Sequence, residues 1–290
     1  MIFTMQRHTT GAKILFVDDD VYFGNSYIYA LRDEGYEVIE ANSVDSALTL
    51  ARTRDFDAVI LDIMLPHGKF FDDFETQGGF KTGLALAREL RNRLPESKVL
   101  ALTMSTDPEV QEWFTSDESV AFANKRDVAP PDLARLVKNL MEGKRLPRVF
   151  IVHGRDAALL EDFKAFLLQK FSIVQPVVLS EQPSRGKTII EKFEYYARNV
   201  DVVFVLATPD DFGRLATPRQ SQKSRARQNV VFELGFFLGS LKRTSGRVIL
   251  VHKGGLELPS DISGVVYVDI TTGLDAAEAE IRRELAPWTD

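Results

Sequence analysis

At 290 residues the chain is long enough for two domains of ordinary size, and its 44% apolar and 27% charged residues exclude a disordered chain. No cysteine is present, which excludes disulfide scaffolds, thiol nucleophiles and cysteine-bound zinc and favours a reducing cytoplasm. Residues 1–143 carry 15 Lys+Arg and 24 Asp+Glu, which gives a net charge of −9. Residues 144–290 carry 21 Lys+Arg and 18 Asp+Glu, which gives a net charge of +3. An acidic first half and a mildly basic second half argue against general binding of nucleic acid.

Two sets of five predicted strands follow one another along the chain. Short apolar runs rich in β-branched residues alternate with helix-like segments, and the pattern restarts after residues 141–147. The predicted strands are 14–17, 37–41, 58–61, 99–103 and 120–123 in the first set, and 149–152, 173–179, 202–207, 248–251 and 265–268 in the second. Strands joined by helices form parallel sheets, whose ligand sites lie at the carboxyl ends of the strands. The sequence therefore predicts two α/β domains, 11–142 and 148–290, joined by a linker at 143–147.

No segment of the sequence is suited to crossing or entering a membrane. The N-terminal residues lack the apolar core of a signal peptide, and nowhere do about 18 uncharged apolar residues run together. We therefore expect a cytoplasmic protein with no membrane partner.

A long connection follows the third predicted strand. Residues 67–79 make it about twice the usual length for a strand-to-helix loop, and long loops in compact domains are often functional. One hypothesis is that this segment overhangs the first site, and the other is that it is a solvated insertion without a role.

Carboxylates follow two strands of the first set. Asp18 and Asp19 end the first strand, and Asp62 ends the third. Because the ends of parallel strands converge at one edge of a sheet, these carboxylates should meet, and clustered carboxylates favour a hard divalent cation such as Mg2+. Thr103 after the fourth strand and Lys125 after the fifth add a hydroxyl and a fixed cation. This combination predicts a site for phosphoryl transfer.

Residues 11–142 resemble the receiver domain of bacterial response regulators at these separated positions. The resemblance implies a phosphoacceptor at Asp62, a magnesium-binding set of Asp18, Asp19 and Asp62, and the switch residues Thr103, Phe122 and Lys125. It also implies a sensor histidine kinase or another phosphodonor as partner. Arg126 follows Lys125 where the family usually has proline. The alternative is a receiver that never accepts phosphate and serves as a docking module.

The second half contains no small helical domain with a basic recognition helix, so we expect no DNA partner. In the glycine-containing turn at 153–156, the backbone amides and the side chains of His153 and Arg155 are candidates for meeting an anion. Residues 186–188 read Gly-Lys-Thr, but Glu181 stands where a Walker A loop needs glycine, which excludes an ATPase of that kind.

One carboxylate interrupts an apolar helix in the second half. Between residues 230 and 238 every residue is apolar or glycine except Glu233. A carboxylate among apolar side chains is costly to bury unless it is paired, so its pKa should be perturbed, which is a common mark of functional acids. We favour this interpretation over a glutamate that pairs with an arginine or caps the helix start.

Six sequence blocks in order make residues 148–285 resemble the nucleotide-binding TIR-like family, whose relatives are effectors of bacterial antiphage systems. The blocks are VFIVHGRD, EQP (181–183), GKTIIEKFE (186–194), TPDD (208–211), RARQNVVFELGFFLG (225–239) and LPSDISG (258–264). The resemblance implies a five-stranded flavodoxin-like domain that cleaves NAD+ at the nicotinamide glycosidic bond. Glu233 would be its catalytic residue, and the nucleotide would be bound by His153, Gly154, Arg155 and Asp156.

These observations together predict two flavodoxin-like parallel five-stranded domains, a receiver and a TIR-like domain. The predicted function is that of a response regulator whose receiver controls an NAD+ glycohydrolase in bacterial defence or stress signalling. Activation is expected to form a homo-oligomer, because the predicted linker is too short to release a distant domain. The alternatives are a non-catalytic nucleotide-binding module and an assembly scaffold in which neither site does chemistry.

Overall fold

The chain divides into two compact units between residues 145 and 146. The structure is a computed structural model, which describes residues 11–116, 119–144, 147–174, 176–182, 184, 186–197, 200–214, 221–241, 245–257, 259, 262 and 265–289. Within these ranges, no helix combines the length and the apolar character needed to cross a bilayer.

The first unit is a parallel five-stranded sheet with helices on both faces. Its elements are β1 (Lys13–Val17), α1 (Val21–Asp33), β2 (Glu37–Ala41), α2 (Val44–Thr53), β3 (Ala58–Leu61), α3 (Asp73–Thr76), α4 (Thr82–Arg93), β4 (Lys98–Thr103), α5 (Pro108–Trp113), β5 (Val120–Asn124) and α6 (Pro130–Met141). The strand order is β2-β1-β3-β4-β5, and every pair is parallel. The central strand β3 consists of four buried apolar residues, as expected for a strand covered on both faces.

The start of α4 lies directly against the chain that leaves β3. The backbone N–H of Gly83 donates a hydrogen bond to the carbonyl oxygen of Ile63 (2.9 Å). A Cβ atom on Gly83 would lie 2.1 Å from the carbonyl oxygen of Asp62, so only glycine fits here. This close approach holds in place the backbone that carries the Asp62 side chain.

The second unit is also built on a parallel five-stranded sheet. Its elements are β6 (Val149–His153), α7 (Ala157–Phe171), β7 (Val177–Val178), α8 (Ile189–Ala197), β8 (Val202–Ala207), β9 (Asp211–Gly213), β10 (Lys223–Arg225), α9 (Gln228–Ser240), β11 (Val248–His252), β12 (Val266–Asp269) and α10 (Leu274–Thr289). The strand order is β12-β11-β8-β6-β7, with all pairs parallel. Strands β9 and β10 form a separate antiparallel ribbon.

The predicted fold class, two five-stranded parallel sheets with helices, is confirmed. Every predicted strand except 173–179 begins and ends within one residue of an observed strand. In that exception only Val177 and Val178 pair with β6. The preceding Pro176 has no N–H to donate to the ladder, and Ser172 ends α7 in a left-handed conformation with φ 59°. The ribbon of β9 and β10 was not predicted, since three-residue strands leave no alternation to detect.

The long 67–79 segment packs against helices of the first unit. The backbone N–H of Lys69 donates to the Asp45 carboxylate of α2, and Phe71 is buried in the core beside α4. Just beyond the segment, at the start of α4, Lys81 Nζ lies 2.6 Å from Glu109 Oε2 and 3.4 Å from Asp107 Oδ2. The segment therefore contacts α2 and contributes Phe71 to the core of the first unit.

Candidate functional site

Three charged side chains meet at the carboxyl edge of the first sheet. Lys125 Nζ donates to Asp18 Oδ2 and to Asp62 Oδ2, both at 2.7 Å, and all three side chains are buried. Strands β1 and β3 are neighbours in the sheet, which brings Asp18 and Asp62 together. Lys125 arrives from the end of β5, and its backbone N–H donates to the carbonyl of Thr103 (2.9 Å).

The second oxygen of Asp62 is held by β4 and by its own loop. Thr103 Oγ1 donates to Asp62 Oδ1 at 2.6 Å, and the backbone N–H of Met64 donates to the same oxygen at 3.0 Å. Phe122 lies beside Ala101 in the register of β4 and β5 and is buried in the core. The structure thus brings Thr103 and Lys125 onto the Asp62 carboxylate, while Phe122 packs in the core.

Lys125 is a fixed cation in this cluster. Burial works against its charge, but the carboxylates of Asp62 and Asp18 outweigh that effect and hold the pKa of Lys125 above its usual value. An ammonium group that stays charged beside Asp62 can balance a further negative group brought to that carboxylate.

The carboxylates at this edge fit a divalent cation. Oxygens of Asp18, Asp19 and Asp62 lie within 4.8 Å of one another, and Asp19 is exposed. One ammonium balances only one of the three carboxylates, so negative charge is left over for a hard cation with oxygen ligands. A cavity of about 330 Å³, bordered by Asp18 and Asp20, opens beside them and leaves room for water ligands.

Two aromatic residues of α1 support the site, and the sequence reasoning missed both. The Phe23 ring centroid lies 4.9 Å from Lys125 Nζ, within range of a cation–π interaction. The buried Tyr27 hydroxyl donates to the carbonyl oxygen of Val128 at 2.8 Å and so ties α1 to the loop after β5. Their spacing of four residues places them on one face of a helix that starts at the acidic cluster, which is the signal that points to them.

Glu233 lies on α9 in the second unit and is half-buried. The helix begins at Gln228 with Arg227 as its N-cap residue, so Glu233 does not cap the helix start. No side chain in the described part of the chain donates a hydrogen bond to Glu233. Burial raises the pKa of Glu233 to about 7, against the opposing charge of Arg227. Near neutral pH this carboxyl group is therefore present in both its protonated and its ionised form.

The raised pKa of Glu233 predicts a pH-dependent stability. As pH rises from about 4.5 to 7, the unfolded chain loses its Glu233 proton before the folded chain does, so this group lowers the free energy of unfolding. Glu233→Gln removes the effect. We expect this variant to be more stable than the wild type at pH 8 by about 1–3 kcal/mol, with the difference vanishing near pH 4.5. Thermal unfolding of both proteins at pH 8 and at pH 4.5 measures this difference in stability. If the variant differed from the wild type by the same amount at both pH values, the burial of this charge would be contradicted.

Three residues of the 153–156 turn, His153, Arg155 and Asp156, form hydrogen bonds within the protein. His153 ends β6, with Nε2 at 3.3 Å from Ser180 Oγ, and Asp156 caps α7 by accepting from the N–H of Leu159 (2.9 Å). The backbone N–H of Arg155 donates to the Asp210 carboxylate at 3.0 Å. One backbone amide of this turn thus has a carboxylate partner within the chain, Asp210.

Glu233 and the 153–156 turn are linked through β6. Helix α9 packs on this strand, with the Phe237 and Phe150 rings 4.9 Å apart, and β6 ends in His153. No hydrogen bond between described residues joins Glu233 to the turn. The sequence reasoning also missed Asp210, although the TPDD block at 208–211 drew attention to that segment.

Comparisons with known families match both units. Residues 14–138 match the response regulator receiver domain, and residues 148–272 match the TIR domain of the CAP12/Pycsar effector protein. The two matches follow one another along the chain and coincide with the two sheets.

Three relatives illustrate the similarity to curated proteins. The chain is 43% identical over 123 residues to YuaY of Escherichia coli K12, 34% over 143 residues to tirC of Dictyostelium discoideum, and 34% over 100 residues to the Pycsar effector PaPycTIR of Pseudomonas aeruginosa. These alignments cover 42%, 46% and 34% of this chain and 40%, 69% and 30% of the relatives. The chain thus spans less than half the length of YuaY and PaPycTIR.

Proposed function

This chain belongs to the CAP12/Pycsar effector TIR family and carries a response regulator receiver domain before its TIR domain, and on that premise we propose that phosphorylation of the receiver controls NAD+ hydrolysis by the TIR domain. The combination of domains is that of a signalling and defence effector. The observation that carries the proposal is the half-buried Glu233 on the apolar helix α9, where burial raises the pKa of its carboxyl group to about 7.

In the receiver, Asp62 is the proposed nucleophile. One of its carboxylate oxygens forms a bond to the phosphorus atom of the donor, and the bond from phosphorus to the leaving group breaks. Asp62 accepts hydrogen bonds from Lys125, Thr103 and Met64, which fix the orientation of its carboxylate toward the donor. A divalent cation held by Asp18, Asp19 and Asp62 would offset the charge on the transferring group.

Phosphorylation gives Thr103 and Lys125 new acceptors. A phosphoryl group on Asp62 brings three strongly accepting oxygens next to the Thr103 hydroxyl and the Lys125 ammonium group. Both side chains then form hydrogen bonds with the phosphoryl oxygens instead of the carboxylate oxygens. This exchange of partners moves the ends of β4 and β5. This change is the proposed signal that leaves the receiver.

In the TIR domain, the proposed reaction is hydrolysis of the bond between nicotinamide and ribose. Nicotinamide leaves with the electron pair of that bond as a neutral molecule, and the ribosyl carbon develops positive charge before water adds to it. The water loses one proton, so the products are nicotinamide, ADP-ribose and a proton. The Glu233 carboxylate would stabilise the positive carbon and accept hydrogen bonds from the ribose hydroxyls or the attacking water.

Self-association is the proposed link between the two domains. Because the predicted linker is short, pairing of two receivers brings the attached TIR domains close together. Their effective concentration rises, and this favours control by assembly. Exposed apolar side chains on α8 and α9 favour such contacts; Ile189 is 80% and Phe232 57% exposed. A hundredfold activation requires about 2.7 kcal/mol of differential stabilisation, which modest interface changes provide.

Beryllofluoride, which mimics the phosphoryl group, tests this link. We expect it to raise both the mass seen by light scattering and the rate of nicotinamide release, by up to about a hundredfold. Activity that rises while the protein stays monomeric would contradict control by assembly. An assembled protein that binds NAD+ without releasing nicotinamide would instead indicate a nucleotide-binding module.

A further inference from the structure

The Asp210 carboxylate bridges two loops at the carboxyl edge of the second sheet. Its Oδ2 accepts a hydrogen bond from the backbone N–H of Arg155 (3.0 Å), and its Oδ1 accepts one from the hydroxyl of Thr208 (2.9 Å). Arg155 lies between β6 and α7, whereas Asp210 lies between β8 and β9. Because β6 and β8 are neighbouring strands, this one carboxylate fastens together the loops that follow them.

Gly154 leaves the space that this contact needs. A Cβ atom at Gly154 would lie 1.7 Å from Asp210 Oδ2 and 3.2 Å from Thr208 Oγ1. The φ angle of Gly154 lies outside the left-handed region, so backbone conformation alone does not require glycine. Within the turn, the residue that the Asp210 carboxylate approaches is thus a glycine, and no larger residue would leave room for this contact.

The segment that starts at Asp210 leads to the helix that carries Glu233. Strand β9 begins at the next residue and pairs with β10, whose Arg225 contacts Glu257 Oε2 at 2.5 Å. Helix α9 follows directly after Arg227. Asp210 thus lies just after β8, and α9, which carries Glu233, packs on β6 and β8.

We propose that Asp210 is a positioning residue of the NAD+ site, a role that rests on the proposed function of this domain. Its bonds hold the loop after β8 in its binding conformation before substrate arrives, so less ordering is required when NAD+ binds. The Arg155 amide is already bonded to Asp210. The NAD+ pyrophosphate is accordingly held by other donors of the site.

Four variants separate this role from a general effect on folding. Asp210→Ala removes both hydrogen bonds, and Gly154→Ala displaces the carboxylate while leaving its chemistry intact. Asp210→Asn can keep both bonds, because its carbonyl accepts from Arg155 and its amide group donates to the Thr208 hydroxyl. Asp211→Ala is the matched control on the adjacent carboxylate, whose side chain makes no hydrogen bond with the described residues.

The KM for NAD+ is the expected readout. We expect Asp210→Ala and Gly154→Ala to raise KM by on the order of tenfold with a much smaller change in kcat, since each loses bonds that order the loop. Asp210→Asn should raise KM less than Asp210→Ala does, and Asp211→Ala should behave as the wild type. An unchanged KM with only a lower melting temperature overturns the proposal, and so does a lower KM, which would mean that Asp210 competes with substrate phosphates.

Amide hydrogen exchange gives a second readout that does not depend on these variants folding. In the wild type, the Arg155 N–H should be protected without ligand and should stay protected when NAD+ saturates the slow Glu233→Gln variant. Loss of protection on NAD+ binding overturns the proposal. If the assembled wild type neither binds nor cleaves NAD+, the proposed function is wrong, and the role of Asp210 is wrong with it. If the wild type cleaves NAD+ and Asp210→Ala has an unchanged KM, only the role of Asp210 is wrong.

Discussion

Replacing Asp62 by Asn should abolish phosphoryl transfer from acetyl phosphate to this protein. Asn has nearly the same size as Asp, so the buried cluster with Lys125 and Thr103 keeps its shape, but the amide has no anionic oxygen to attack phosphorus. Intact-protein mass spectrometry measures the loss as the disappearance of the phosphorylated species. A chelator should suppress the same species in the wild type, because Asp18, Asp19 and Asp62 face only one ammonium group.

Asp55→Asn is the matched control for this experiment. Asp55 is an exposed carboxylate of the same unit that precedes β3, whereas Asp62 follows the opposite end of that strand. It should become phosphorylated as the wild type does. A label that persists in Asp62→Asn would remove Asp62 as the acceptor, and a wild type that is never labelled would favour the docking-module alternative.

The acidic edge of the first sheet could be predicted from the sequence because it depends on local signals. The strands that carry the site, β1, β3, β4 and β5, are mainly apolar and lead into polar residues, and parallel pairing brings those ends together without further information. The contacts that support the site depend instead on the path of the whole chain. The Tyr27 hydroxyl meets the Val128 carbonyl across 101 residues, a pairing that no local spacing could indicate.

In the second unit the limits of prediction have two physical causes. Strand β7 is short because Pro176 and the left-handed Ser172 interrupt an apolar run that otherwise resembles a full strand. Asp210 and Asp211 are adjacent carboxylates, and the sequence alone does not show which of them contacts the 153–156 turn. The backbone path after β8 places the Asp210 carboxylate beside the N–H of Arg155. Glu233 could be found from the sequence because a lone carboxylate in an apolar helix is a local signal.

Replacing Glu233 by Gln should slow nicotinamide release by about a hundredfold. The amide is nearly isosteric with the carboxyl group, so α9 should keep its packing on the sheet, but the amide cannot offer the negative charge that an oxocarbenium-like ribosyl centre requires. A loss of about 3 kcal/mol of transition-state stabilisation corresponds to that change in rate. Free nicotinamide is quantified by chromatography after incubation with NAD+ in the presence of beryllofluoride.

The pH dependence of this reaction distinguishes chemistry at Glu233 from a loss of folding. If the ionised carboxylate is the active form, the wild-type rate should rise with pH through about 7, the raised pKa of this group, and the residual rate of Glu233→Gln should not follow that curve. Glu194→Gln on the exposed side of α8 is the matched control, and it should retain the wild-type rate and profile. Equal rates in Glu233→Gln and the wild type would exclude Glu233 from the mechanism. A hundredfold loss without a change in melting temperature at pH 4.5, where the charge difference has vanished, would assign the loss to the reaction itself.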